Sequence, residues 1–278
     1  MEAKEYLQQG DLDGALTAAQ NEVKAAPAKW ELRVYLFQLL SLLGQWERAM
    51  TQLNVAGEMD ADASLMAHIY GPALNAEAFR AEIFAGKRTA MFLGEPPEWT
   101  VWMAQAATLL AQDKHEAAAE LRDKAFEAAP AISGTVDGKP FEWIADADPR
   151  LGPVLEAIVN GKYYWVPFER INVIEFEKPE NLRDAVWARA KLTWANGGEA
   201  MGLIPARYVG TENHEDNFVK MARRTVWTDL GSDFFAGAGQ RVLTTDEDEY
   251  PLLAAGTVTL NCPVQDSVED GDEVPSDG

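Results

Sequence analysis

Through residue 130 the apolar positions fall at helical spacing, as in Leu32, Leu36, Leu39, Leu40 and Leu43, within text rich in Ala, Leu, Glu and Gln. Gly10 and Gly44 punctuate this pattern and Pro27 ends one segment. After Pro130 the pattern changes: Gly134, Gly138 and Pro140 precede short runs dense in aromatic and β-branched residues. Residues 141–145, 163–166 and 171–176 read as strands. Between the first two, Asp148-Pro149 predicts the start of a short helix through Leu155 and Ile158. Residues 190–194 and 200–204 flank Asn196-Gly197-Gly198, a hairpin signal, and 218–227 and 256–260 supply further strands. The predicted class is α+β. Helical repeats over 1–130 precede an α+β domain over 138–262 with a small, mostly antiparallel sheet.

A repeat sharpens the helical half. Gly10, Leu12, Ala15 and Leu16 are followed 34 residues later by Gly44, Trp46, Ala49 and Met50, the period of a tetratricopeptide repeat. The glycine permits a sharp turn between two helices and the alanine lets them approach closely. A looser third copy maps Leu12, Ala15 and Pro27 onto His115, Ala118 and Pro130, with Asp113 in the glycine's place. The stretch near 62–97, containing Gly71-Pro72, then reads as an irregular helical pair. A plain bundle of helical hairpins is the alternative.

Charge narrows the partners. Lys and Arg total 24 against 45 Asp and Glu, a net charge of −21. The last fourteen residues hold six acids and no base, and without them the remainder still carries −15. Such a field repels a phosphate backbone and attracts a basic peptide or helix, although acidity also serves plain solubility. Residues 265–278 read as a disordered acidic tail. No basic-then-apolar leader and no long apolar run is visible, and one cysteine, Cys262, allows no internal disulfide, so the expected location is the cytoplasm.

Motifs for chemistry are sparse. Gly237-Ala238-Gly239 lacks the lysine of a phosphate loop, and His68, His115 and His214 lie too far apart in sequence for a zinc pair. Neither a cofactor nor a metal is expected. Asp146 and Asp148 can be read as paired carboxylates or as a cation site; the favoured reading makes Asp148 a cap and Arg150 the partner of Asp146. The run 246–249 reads as solvated surface. Trp143, Trp165, Trp187, Trp194 and Trp227 read as core aromatics of a small sheet.

Several segments resemble the ImpE family, also called TagJ. They include Phe141-Glu142-Trp143-Ile144-Ala145-Asp146, Asp148-Pro149-Arg150-Leu151-Gly152-Pro153, Gly161-Lys162-Tyr163-Tyr164-Trp165-Val166-Pro167, Leu182-Arg183-Asp184, Pro205-Ala206-Arg207-Tyr208 and Gly239-Gln240-Arg241. In the first half, Leu7, Gly10, Leu12 and Ala15, then Phe84-Ala85-Gly86 and Pro97-Glu98-Trp99, extend the resemblance over most of 1–262. It implies a cytoplasmic, non-enzymatic accessory component of type VI secretion. The implied partner is the N-terminal helix of the small contractile-sheath subunit, with an indirect link to the sheath-disassembly ATPase.

The residues add a mode, because stacked helical repeats offer a concave groove to a partner helix. The repeat register alone places Glu31, Val34, Gln38 and Ser41 on that face, with Thr100, Met103 and Ala107 in the loose third repeat. Arg207, Tyr208, Gln240 and Arg241 form a possible polar patch; the preferred reading makes the two arginines internal ties. The competing reading is an enzyme or small-ligand sensor in the second domain, and it predicts shifted carboxylates converging in a deep cleft.

Overall fold

The computed structural model describes residues 2–262; the acidic tail expected at 265–278 lies outside the described residues. The chain opens with α1 (Ala3–Gln8), α2 (Leu12–Ala25), α3 (Trp30–Leu42), α4 (Trp46–Met59), α5 (Ala61–Phe84), α6 (Glu98–Leu110) and α7 (His115–Ala128). α1–α2 and α3–α4 are hairpins that turn through Gly10 at φ 80° and Gly44 at φ 68°, a region open to glycine at little cost. Asp11 caps α2 by accepting the Gly14 N–H at 2.8 Å. Ala15 and Ala49 are fully buried in the two repeats, as close helix approach requires. α6–α7 is a further hairpin, in which Asp113 takes φ 58° at the position that glycine fills in the first two.

The irregular helical pair expected over 62–97 is instead one helix, α5, which runs through Gly71-Pro72 and ends at Phe84, followed by a non-helical stretch in which Phe92 bridges to Trp165. Tyr70, Ala73, Leu74 and Ala76 are buried along α5. That burial outweighs the backbone hydrogen bond that proline cannot donate.

The second half contains β1 (Gly134–Val136), β2 (Lys139–Phe141), β3 (Ile144–Asp146), β4 (Val154–Val159), β5 (Lys162–Pro167), β6 (Ile171–Phe176), β7 (Trp187–Trp194), β8 (Glu199–Pro205), α8 (Asn217–Lys220), β9 (Thr225–Gly231), β10 (Phe234–Gly239), β11 (Val242–Thr245), β12 (Glu249–Pro251) and β13 (Thr257–Leu260). The main sheet has eight strands in the order β2-β1-β13-β6-β7-β8-β4-β5, so the small sheet expected from the sequence is a large one. Its neighbours pair antiparallel, β7 and β8 forming the hairpin predicted around Asn196-Gly197. β9–β10 and β12–β11–β3 are smaller sheets. The single strand expected over 218–227 divides into α8 and the start of β9.

The helix expected through Leu155 and Ile158 is β4, with all six residues buried. Val154 and Ile158 pack with the helices, whereas Leu155, Ala157 and Val159 belong to a second core on the other face. A strand covered on both faces loses the alternation that identifies strands in sequence. The largest core cluster joins the halves, uniting Phe37, Leu39 and Leu42 of α3 with Trp187, Leu203 and Met221. Trp165 and Trp187 are fully buried there as expected, whereas Trp143 and Trp227 are about 40% exposed and are not core.

Candidate partner-binding groove

From Trp30 to Gln38, α3 borders a groove of about 840 Å3, walled also by the start of α1, the end of α2, Met66 of α5 and the 3₁₀ turn at 182–185. Trp30, Leu32, Val34, Tyr35 and Met66 supply its apolar lining, with Glu2, Glu22 and Glu31 among its acids and Lys4 and Arg183 as its bases. Tyr35 Oη is buried without a hydrogen-bond partner. Burial first, and Glu22 second, push its pKa up to about 12.

Of the residues placed on the concave face by register, Glu31, Val34 and Gln38 line the groove. Glu31 is exposed and Val34 forms floor. Gln38 is already engaged, its Oε1 accepting the Arg183 N–H at 3.2 Å. Ser41 does not line it: the residue is fully buried, its hydroxyl donates to the Phe37 carbonyl at 2.9 Å, and its carbonyl accepts from Arg207 at 3.4 Å. Thr100, Met103 and Ala107 are likewise buried. Met103 and Ala107 share the core with Leu151 and Trp165, so the second half of the chain covers what the register alone left open.

The polar patch is also internal. Arg207 donates to the carbonyls of Leu42 at 2.8 Å and Lys220 at 2.6 Å, tying the helices to the second half. Tyr208 is buried, and its hydroxyl accepts the Val242 N–H at 3.1 Å. Gln240 bridges the Ala222 carbonyl and the Leu253 N–H at 2.7 and 3.0 Å. Arg241 is fully buried against Asp146, at 2.5 and 2.8 Å, and Glu156 at 3.2 Å. These residues are ties rather than an exposed patch.

Arg241 belongs to a charge cluster that the sequence reading did not assemble. Arg80 of α5 donates to both oxygens of Glu156, at 2.5 and 2.8 Å, and to the Arg207 carbonyl at 2.8 Å. Tyr163 adds its hydroxyl to Glu156, and Trp187 donates to Glu77 at 2.8 Å. Asp148 pairs with Arg150 rather than leaving that arginine to Asp146, whose partner is Arg241. A Glu77/Arg80 pair amid the apolar positions of one helix was the available signal, since charges rarely sit on such a face unless paired.

Burial raises the Asp146 pKa to about 6 despite Arg241, and raises that of Glu77. Burial alone would raise Glu156 as well, but Arg80 and Arg241 outweigh it and hold that carboxyl below its usual range. The carboxylates converge, as the enzyme reading requires, but Asp146 is only 3% exposed and Asp148 and Glu156 are fully buried; a cavity of about 370 Å3 that Asp146 borders is lined mainly by apolar residues, Phe126, Trp143 and Ile144 among them. Their ion pairs join Arg80 of the helical half to Glu156 of β4, and Arg241 to Asp146 of β3. Among the described residues no group of three or more His, Cys, Asp or Glu side chains is placed to hold a metal ion, and no helix is long and apolar enough to cross a membrane.

Comparison with known proteins agrees with this architecture. The family model for ImpE protein matches residues 138–259, and a tetratricopeptide repeat model matches residues 6–69. The chain is 48% identical over 253 residues to the type VI secretion system accessory component TagJ of Pseudomonas aeruginosa, covering 91% of this chain and 89% of that protein. The crystal structure of protein VPA1032 from Vibrio parahaemolyticus superposes with a TM-score of 0.82 at 25% identity, covering 93% of this chain and 97% of that one. The chain belongs to the ImpE family, which includes the type VI secretion accessory component TagJ.

Proposed function

We propose that this protein is a non-catalytic adaptor of type VI secretion. It takes the N-terminal helix of the small contractile-sheath subunit into the groove beside α3, and in the cytoplasm it modulates how the sheath is handled by the disassembly ATPase. The observation that carries this reading is the groove itself: an apolar floor beside α3 of the helical repeats, with Glu22 and Glu31 in its lining. An amphipathic helix buries its apolar side in such a groove and is read through anchors one turn apart. The net charge of −21 favours a helix whose flanks are basic.

Calorimetric titration of the full chain with that isolated sheath helix tests the reading. Saturable binding is expected, and Trp30→Ala is expected to weaken it about 30-fold, the scale of an aromatic anchor. Glu31→Lys is expected to weaken it less and to flatten its salt dependence. Affinity unchanged by both substitutions sinks the placement in this groove, and no binding at all sinks the adaptor reading.

A further inference from the structure

The buried arginines of the described residues are Arg80, Arg122, Arg183, Arg207 and Arg241. Arg80 and Arg241 have carboxylates at 2.5 Å. Arg122 has Asp123 at 2.7 Å together with two backbone carbonyls, and Arg207 is held by three carbonyls. Arg183 differs. Its guanidinium lies over the Tyr70 ring at 5.0 Å with the Tyr70 hydroxyl among its polar neighbours, and Nη1 reaches the Met66 sulfur at 3.9 Å. The Asp184 carboxylate stands 3.9 Å from Nε, beyond hydrogen-bond reach. Arg183 Nε and Asp184 Oδ1 are both buried with no hydrogen-bond partner. The other oxygen of Asp184 is already used by the Glu180 and Asn181 N–H groups at 2.9 and 2.8 Å.

A guanidinium whose side chain is 10% exposed and whose nearest carboxylate stands at 3.9 Å, outside hydrogen-bond reach, is costly to maintain. This one stands in the wall of the groove. Its place is fixed from two sides: Gln38 of α3 accepts its backbone N–H, and Asp184 caps the turn that carries it. Little further ordering is needed to bind an anion there.

We propose that Arg183 is the receptor for a carboxylate carried by the helix that occupies the groove. This rests on the adaptor reading and specifies the chemistry of the occupant. The helix presents one Asp or Glu beside its apolar face, received by the planar fork of Arg183. Glu22 and Glu31 repel a carboxylate elsewhere along the groove and favour Lys or Arg there, so the charges together set the direction and register of the bound helix.

Two titrations of the full chain test this. In the first, acetate alone is added while the arginine Nε–H resonances are followed by NMR. A saturable shift is expected at Arg183, absent in Arg183→Lys and absent at Arg80 and Arg241. In the second, each Asp and Glu of the isolated sheath helix is changed in turn to its amide. One such change is expected to cost about tenfold in affinity for the wild-type chain and nothing for Arg183→Gln, the coupling of a direct pair. If Arg183→Gln fails to fold, Arg183→Lys, which keeps the charge and loses the fork, closes the cycle. An Arg183 resonance indifferent to acetate overturns the proposal, as do helix and Arg183 losses that simply add. If acetate shifts Arg183 but the sheath helix does not bind, the carboxylate site stands and the adaptor reading falls.

Discussion

At the junction of the two halves, Arg80, Glu156, Arg241 and Asp146 spend their polar atoms on one another. Along the neighbouring groove, Tyr35 Oη, Arg183 Nε and Asp184 Oδ1 have no hydrogen-bond partner at all. Both regions are rich in charge and both touch α3 or α5, so neither composition nor burial separates them. Saturation does. A closed network holds a structure together, whereas unsatisfied polar groups beside an open apolar floor are what a binding partner can complete. In the closed region burial raises the Asp146 carboxyl, whereas pairing with Arg80 and Arg241 overcomes burial and lowers that of Glu156.

The comparison breaks most visibly if the network is dispensable. Glu156→Ala leaves Arg80 and Arg241 buried with reduced compensation, and a loss of about 3–5 kcal/mol in unfolding free energy is expected from urea denaturation. A loss under about 1 kcal/mol would mean that the junction is held by its apolar contacts alone.

Asp146 gives the next largest effect, through pH. Its folded pKa is raised from 3.8 to about 6 by burial, which Arg241 only partly offsets. The folded chain therefore holds a proton that the unfolded chain releases between about pH 4 and pH 6. The stability that this proton contributes is complete below about pH 4 and is lost as pH rises through 6. Asp146→Asn cannot titrate, and Glu156 titrates in both proteins. The wild type's stability relative to this variant should therefore fall across that window by up to roughly 3 kcal/mol. A difference that is flat or grows with pH would place the Arg241 attraction above the burial cost.

How far the sequence reaches is visible along α3. The 34-residue spacing of Gly10 and Gly44 anticipated two turns that both adopt positive φ, and the register anticipated that Glu31, Val34 and Gln38 border a groove. The same register failed at Ser41, because Arg207, which lies against it, is 166 positions away in the chain, and periodicity carries no information about remote covering segments. β4 was misread for a related reason: two cores cover it, so its six residues alternate in environment but not in polarity. The better signal was Asn160-Gly161, at φ 50° and 73°, which joins β4 to β5 as a two-residue hairpin and outranks the helix start at Asp148-Pro149. Arg183 was legible only as part of the resemblance at Leu182-Arg183-Asp184; that its Nε has Asp184 at 3.9 Å and no hydrogen-bond partner is a property of the folded chain.

The smallest expected effect lies away from both regions. Ser232 and Asp233 connect β9 to β10 at φ 53° and 59°, a turn in which both central residues occupy the left-handed region without a glycine. Asp233→Gly removes strain of about 1 kcal/mol at one position, partly offset by the greater freedom of glycine in the unfolded chain, so a net gain of roughly 0.5 kcal/mol is expected. Arg122 bonds to the carbonyl of Asp233 rather than to its side chain, so that contact survives the change. Thermal denaturation reads the gain, and the affinity for the sheath helix should not move. A changed affinity would mean that this hairpin communicates with the groove through the junction, and the separation between a closed frame and an open site would no longer hold.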